Sequence, residues 1–228
     1  MQATFDVYQD RIDEIELYYR AIEELYNTKG VFDKEYEFHS NNFLKVLKSN
    51  ALLMVYNLVE SSVMGGIIEI YDELKSSGYT YNDVRTEIQD IWFSFKFNQV
   101  YDKSAHYNSY RDKAIEIIGS ILNQEAIIMD RKATNISGNL DADKIRQICQ
   151  DHGIDYTLDA DCKGGIVLED VKNKRNDLAH GTISFAECGR DYSIEDLVKI
   201  KDQTTKFLDG ILEGMKEYYD SKKFLVIV

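Results

Sequence analysis

Apolar residues recur every three or four positions along most of the chain, which is the spacing that one face of an α-helix requires. The first such segment runs from Thr4 to about Asn27, and Gly30 lies just beyond it as a helix terminator. Its recurring residues are Ile12, Ile15, Tyr19, Ile22 and Tyr26. Acidic residues occupy the other face, so the pattern predicts an amphipathic helix that buries one side.

A second helical stretch runs from about Asp33 to Lys75, and it is apolar on nearly every side from Asn50 onward. A helix that is hydrophobic all round lies at the centre of a fold. Its apolar surface is interrupted at Glu60, Ser61 and Ser62. Gly65 and Gly66 follow, where the missing side chains permit either a kink or a close helix crossing.

The rest of the chain reads as further helices joined by polar or glycine-containing loops. Helices are predicted from Asn82-Asp83 to Phe97, from Ser109 to Asn123, from Asp141 to His152, from Ile166 to His180, and from Ser193 to Tyr219. Asp141 caps the third of these and Ser193 with Asp196 the last, while Gly153 and Gly181 end the third and fourth. Loops are predicted from Asp130 to Leu140 and from Thr157 to Gly165, and a short tail or strand from Phe224 to Val228. No repeat or linker divides the sequence. We therefore predict one all-α helical bundle over residues 1–228, with 98–165 as a possible insertion or cap.

Composition supports long uninterrupted helices. Proline, which breaks helix interiors, is absent from the 228 residues. Hydrophobic residues make up 44% and charged residues 29%, which excludes a wholly disordered chain. The 16 tyrosines are expected to pack through their rings with hydrogen-bonded or solvated hydroxyls, although a tyrosine-rich interface is an alternative.

Charge and cysteine content restrict the partners and the compartment. The net charge of −13 argues against a broad basic face for nucleic acid but leaves room for a small cationic site. Cys149, Cys162 and Cys188 match neither zinc nor redox spacing. The first residues do not resemble a secretion signal, and the apolar run from Ala51 to Val59 is shorter than the roughly 20 residues that span a bilayer. We therefore expect a cytoplasmic protein without a membrane partner.

The most informative segment for chemistry is Val171 to Gly181, at the predicted end of a late helix. It carries Lys172, Lys174 and Arg175 in an otherwise acidic protein, and then presents Asn176 and His180. Residues four apart lie about 40° from each other around a helix, so Asn176 and His180 share a face. Arg175 lies about 140° from His180, within reach of a long side chain where the last turn loosens.

A guanidinium, an amide and an imidazole together suit the cleavage of RNA. The 2′-hydroxyl is an internal nucleophile beside the phosphorus, so neither a metal nor another cofactor is expected. His180 can transfer a proton near neutral pH. Arg175 can bind the phosphate through two donors and stabilise the transition state, while Asn176 can orient either group.

Arg175 and His180 fit the R-x4-H form of the motif of the HEPN superfamily, and the chain resembles its stand-alone bacterial ribonucleases. Asn176 after the arginine and Gly181 after the histidine also suit that family. The resemblance implies a helical bundle, usually a homodimer in which two motif helices form one metal-independent ribonuclease site. It further implies a toxin or a phage-defence effector, with an antitoxin or defence protein as a possible partner.

Glu60 is the second candidate for the site. It lies in the most apolar helix, where an unpaired carboxylate would be costly, and it could hold Arg175 or His180 in position. The family often carries an acidic or polar residue on an earlier helix that faces the motif. The alternative is a solvated residue on a polar strip.

Each of these residues also has a simpler structural interpretation. Arg175 could pair with a carboxylate while His180 caps a helix. His39, His106 and His152 lack metal-ligand spacing and are expected to be structural or to lie at the surface.

The leading function is a HEPN-type endoribonuclease with Arg175, Asn176, His180 and Glu60 at its site, and the rival is a non-catalytic interaction scaffold. A nucleotide-binding pocket is the weakest alternative.

Overall fold

A computed structural model describes residues 1–28, 34–98, 107–134, 136 and 138–226. Over these residues the secondary structure is helical, with isolated bridges but no strands, and this confirms the all-α prediction. The α-helices are α1 (Gln2–Asn27), α2 (Lys34–Ser76), α3 (Thr86–Asn98), α4 (Tyr107–Leu122), α5 (Ala142–His152), α6 (Val167–Ala179), α7 (Phe185–Arg190) and α8 (Ile194–Asp220). Short 3₁₀ turns lie at Arg131–Thr134 and Ala160–Gly165.

Helix α2 is the centre of the bundle, because α1, α6, α7 and α8 all pack against it. Its part Asn41–Ser76 is, by length and composition alone, the one described helix apolar enough to cross a membrane. The sequence prediction considered only the shorter run from Ala51 to Val59. More than half of the apolar window is buried inside the molecule, and a central core helix meets the same criterion. The surrounding helices thus account for its apolar surface.

Helix α1 buries one face, as its periodicity predicts. Ile15 and Ile22 are almost fully buried, and Tyr8 and Tyr19 are buried with hydrogen-bonded hydroxyls. The Tyr8 hydroxyl donates to the Asp209 carboxylate at 2.7 Å, and the Tyr19 hydroxyl donates to the Leu197 carbonyl at 3.3 Å. These bonds join α1 to α8, so the tyrosines serve packing here.

Glycines allow close approaches to α2. A Cβ at Gly66 would lie 2.6 Å from the Met215 sulfur of α8, and one at Gly189 would lie 1.8 Å from the Lys45 carbonyl oxygen. Gly65 and Gly66 therefore provide a close crossing within a continuous helix. The contact at Gly189 holds the short helix α7 directly on the backbone of α2.

Several helices begin or end at the capping residues that the sequence predicts. Asp141 accepts the Lys144 N–H at the start of α5, and Gly153 ends that helix in the left-handed conformation. At α8, Ser193 and Asp196 form a reciprocal capping box. The predicted boundaries Gly30 and Asp33 lie outside the described residues.

Two local predictions differ from the structure. Helix α3 begins at Thr86 rather than near Asp83, because the Asp83 carboxylate accepts the Thr80 N–H at 2.7 Å and closes a turn. Helix α7 was not predicted, although Ser184 and Glu187 form its capping box. The last residues, predicted as a short tail or strand, form a tail with one isolated bridge from Leu225 to Val84 as far as they are described, and 227–228 lie outside the described residues.

Candidate functional site

The C-terminal end of α6 has a fixed geometry that follows from its sequence. Gly181 adopts φ +69°, a conformation that costs an L-residue free energy. Its N–H donates to the Leu178 carbonyl at 3.2 Å, and the Thr182 N–H donates to the Asp177 carbonyl at 2.9 Å. These two bonds are the Schellman motif. They terminate the helix as the position of Gly181 predicts, with His180 at the C-cap.

The Arg175 side chain turns away from the helix end towards an upstream segment. We call Gly138 to Asp141 the 138–141 segment. The Arg175 Nη1 donates to the Gly138 carbonyl at 3.1 Å and to the Asn176 side-chain oxygen at 2.9 Å. Its guanidinium carbon lies 4.8 Å from the centre of the Tyr56 ring. Arg175 therefore has no carboxylate partner among the described residues, contrary to the simpler interpretation.

Asn176 continues the same network. Its side-chain nitrogen donates to the Asn139 side-chain oxygen at 2.8 Å, while its oxygen accepts from Arg175. The amide thus holds the guanidinium on one side and the 138–141 segment on the other. The structure brings Arg175 and Asn176 together, as the sequence predicts, but through a segment that the sequence placed only in a loop.

The basic residues before Arg175 do not form one patch. The Lys172 ammonium pairs with the Asp141 carboxylate at 2.6 Å, on the side of the 138–141 segment. Lys174 lies instead near Cys188 of α7, where its charge opposes the rise in the pKa of that thiol, which burial causes. Adjacency in sequence does not bring the charges together, because helical rotation directs them to different neighbours.

His180 is exposed, and its ring makes no hydrogen bond to any residue within the described ranges. Its backbone N–H donates to the Asn176 carbonyl at 2.9 Å, so the two residues follow each other by one turn. The imidazole makes no hydrogen bond to Arg175 in the described part of the chain. The ring is therefore open to solvent at a fixed backbone position.

Glu60 lies on α2, one turn after Tyr56. Its carboxylate makes a 3.5 Å ion pair with Arg131, whose own side chain is 68% exposed. It pairs with neither Arg175 nor His180 in the described structure. Its charge still reaches the site, because it adds to the effect of burial in raising the pKa of the Tyr56 hydroxyl.

Tyr56 is the site residue that the sequence analysis missed. It is 1% exposed, and its hydroxyl oxygen accepts the Leu140 N–H at 3.2 Å. One side chain thus contacts both the Arg175 guanidinium and the 138–141 segment. In the sequence, Tyr56 could have been noticed because it lies one turn before Glu60 on the central helix. That spacing does not reveal its contact with Arg175, which is 119 residues later.

His152 has a structural position apart from this site. His152 is buried, its Nδ1–H donates to the Ile148 carbonyl at 2.7 Å, and its Nε2 accepts from the Tyr71 hydroxyl at 2.8 Å. Burial lowers its pKa, which suits a neutral structural histidine. The His39 side chain and His106 lie outside the described residues. No cluster of potential metal ligands occurs in the part of the chain that the structure describes.

Comparison with known proteins gives one result. No curated protein and no solved structure matches the chain. The family model described as HEPN_MAE_28990-like HEPN matches residues 5–224, which is nearly the whole sequence and includes α2 to α8 and most of α1. The chain therefore belongs to the HEPN_MAE_28990-like HEPN family.

Proposed function

We propose that this protein is a metal-independent endoribonuclease of the HEPN type that acts in the cytoplasm as a toxin or phage-defence effector. The observation that carries the proposal is the state of the two motif side chains at the end of α6. Arg175 makes its hydrogen bonds to the protein through Nη1, while its Nε and Nη2 make none within the described residues. His180 is exposed at a turn that backbone hydrogen bonds close. Both groups are therefore available to a phosphodiester.

The reaction needs a proton acceptor, a proton donor and a site for negative charge. A neutral His180 removes the proton from the RNA 2′-hydroxyl, whose oxygen attacks the phosphorus. The bond from phosphorus to the 5′-oxygen breaks, and that oxygen takes up a proton from an imidazolium or from water. Arg175 stabilises the charge on the phosphate oxygens. The products are a 2′,3′-cyclic phosphate and a 5′-hydroxyl.

A homodimer completes this site in the proposal. One protomer keeps Arg175 and His180 apart among the described residues, so a second copy of the α6 end would bring further groups to the same phosphate. Two imidazoles would then be present, one as base and one as acid. The exposed position of His180 at a helix end leaves room for such an approach.

Asn176 and Glu60 have supporting roles. Asn176 orients the Arg175 guanidinium through the 2.9 Å hydrogen bond. Glu60 acts through the charge that it places near the Tyr56 hydroxyl. Neither residue needs to touch the phosphate for these effects.

The test is incubation of the purified protein with total RNA in EDTA. The wild-type protein should fragment RNA and leave cyclic phosphate ends, and His180→Ala should lower the rate by about 10² to 10⁴, the usual contribution of a general acid or base. The exposed imidazole makes no hydrogen bond within the described residues, so the variant should melt at the wild-type temperature. Equal cleavage by both proteins would reject the role of His180, and no cleavage by either would reject the enzyme.

A non-catalytic scaffold is the second candidate, and the outer face of α1 favours it. Exposed acidic residues line this face, namely Asp6, Asp10, Asp13, Glu14, Glu23 and Glu24. Leu17 lies among them and is 70% exposed. A basic partner protein would complement such a surface. A stable heterocomplex with no RNA fragmentation in EDTA would support this function instead.

A further inference from the structure

Arg175 is held by three features that lie outside the sequence motif. The Tyr56 ring lies beneath its guanidinium, with 4.8 Å between the guanidinium carbon and the ring centre. The Gly138 carbonyl and the Asn176 side chain both accept from Nη1. An arginine side chain has several rotatable bonds, so the ring contact and the two hydrogen bonds together favour one orientation.

The residues that hold Arg175 are themselves fixed. Tyr56 is buried on the central helix α2, and its hydroxyl oxygen accepts the Leu140 N–H at 3.2 Å. The 138–141 segment is further joined to α6 by the ion pair between Asp141 and Lys172. Tyr56 and Gly138 are therefore connected through the segment as well as through Arg175.

Two features of the structure disfavour a side chain at position 138. The φ of +70° at Gly138 is strained for other residues. A Cβ at this position would also lie 3.3 Å from Nη2 of Arg175, closer than the neighbouring atoms tolerate without moving. The backbone therefore approaches the guanidinium closely at this point.

We propose that Tyr56 and Gly138 are positioning residues that preset the Arg175 guanidinium, so that its Nε–Nη2 edge binds the phosphodiester. The inference rests on the proposed ribonuclease function. The contacts with the protein are the two hydrogen bonds of Nη1 and the approach to the Tyr56 ring. The Nε–Nη2 edge has two parallel donors, which match two phosphate oxygens. Fixing this edge before RNA binds reduces the reorganisation required in the transition state.

The first experiment compares Tyr56→Leu with Tyr56→Phe on a labelled RNA oligonucleotide that the wild-type protein cleaves in EDTA. Loss of the ring in Tyr56→Leu should lower kcat by about 10- to 100-fold, since misplacement of a catalytic group by about 1 Å has effects of this size. KM should change much less. Tyr56→Phe keeps the ring and should retain kcat within about threefold. Equal losses in both variants would contradict the role of the ring.

A matched control separates positioning from loss of stability. Tyr71 is equally buried on α2, but its hydroxyl bonds His152 rather than the site. Tyr71→Leu should lower the melting temperature as Tyr56→Leu does, yet leave kcat of the folded protein unchanged. If Tyr71→Leu lowers kcat by the same factor, the effect is general and the proposal fails.

A double-mutant cycle tests whether Tyr56 acts through Arg175. Arg175→Lys keeps a charge but loses the planar fork, and it should retain a low residual rate. Tyr56→Leu should then lower kcat far less in the Arg175→Lys background than in the wild-type background. The same factor in both backgrounds would show that Tyr56 acts independently of Arg175.

Gly138→Ala provides a second route to the same site. It combines backbone strain with a contact on Nη2, whereas Gly78→Ala has the same φ of +70° with no neighbouring atom within 4 Å. Both should lower the melting temperature, but only Gly138→Ala should lower kcat. Unchanged kcat in Gly138→Ala would contradict the role of Gly138.

A spectroscopic measurement makes the proposal independent of catalysis. The Nε–Hε signal of Arg175, assigned by its loss in Arg175→Lys, should be shifted by the Tyr56 ring. Tyr56→Leu should move this signal to the range of Arg20, which is exposed and makes no hydrogen bond within the described residues, while Tyr56→Phe should not. If the wild-type protein does not cleave RNA but the signal behaves in this way, the ribonuclease proposal fails while the positioning of Arg175 stands. An unshifted signal in the wild-type protein would overturn the positioning itself.

Discussion

The Lys172 ammonium lies 2.6 Å from the Asp141 carboxylate and joins α6 to the N-terminus of α5. The other oxygen of the same carboxylate accepts the Lys144 N–H at 2.9 Å as the N-cap of α5. Both side chains of the pair are about four-fifths buried. One carboxylate therefore stabilises a helix end and also holds the 138–141 segment beside Arg175.

Substitution of Asp141 should separate its two roles. Asp141→Asn keeps a side-chain acceptor for the cap but removes the charge, whereas Asp141→Ala removes both. Loss of the cap alone costs about 1 kcal/mol, so Asp141→Ala should be the less stable variant by about that amount. Urea denaturation at neutral pH measures the difference. Equal stability of the two variants would contradict the capping role.

The same carboxylate makes the stability dependent on pH. Burial raises the pKa of Asp141, but the hydrogen bonds from Lys172 and Lys144 and the Lys172 charge outweigh it, and the net pKa is lowered from 3.8. A lowered pKa in the folded state stabilises the protein above the unfolded value and loses that effect as pH falls through the folded value. The advantage of the wild-type protein over Asp141→Asn should thus be present at neutral pH and shrink below about pH 4. An advantage that persists there would contradict the ion pair.

Helix α7 depends on a close backbone contact at Gly189. Because a Cβ there would lie 1.8 Å from the Lys45 carbonyl oxygen, Gly189→Ala must displace α7 from α2. We expect a loss in the free energy of unfolding of at least about 3 kcal/mol, the upper part of the range for overpacked sites. Urea denaturation checks this value.

Gly119 of α4 provides the control for that substitution. A Cβ there would meet no atom within 4 Å. Gly119→Ala should therefore stabilise the protein by about 0.5–1 kcal/mol, since alanine is the better helix former. A Gly189→Ala protein as stable as the wild type would show that α7 does not pack on α2 in this way.

Glu60 should have a measurable but small effect on cleavage. Glu60→Gln keeps the shape of the side chain and removes the charge that lies near Tyr56. We expect kcat to fall less than about tenfold, well below the usual loss for a general acid or base. Arg131→Gln breaks the same ion pair from its exposed side and should leave kcat unchanged. If both variants lower kcat equally, the ion pair matters rather than the charge of Glu60.

Much of the architecture could be predicted from local sequence patterns. The all-round apolar character of α2 placed it at the centre, and Asp141, Gly181 and Ser193 marked helix ends where the structure has them. These features depend on residues within one or two helical turns. The short helix α7 was missed because six residues are too few for a helical periodicity to be recognised.

The site was only partly accessible to the same reasoning. The sequence by itself determined the helical bundle and the order Arg175, Asn176, His180 at the end of a helix, because propensity, periodicity and capping act between near neighbours. Only the tertiary structure decided that Arg175 contacts Tyr56 and Gly138, and that Glu60 faces Arg131 instead. Gly138 and Tyr56 are 37 and 119 residues from Arg175 in the sequence, and Arg131 is 71 residues from Glu60. Such contacts arise from how helices pack against one another, and a single sequence carries no periodic signal for them.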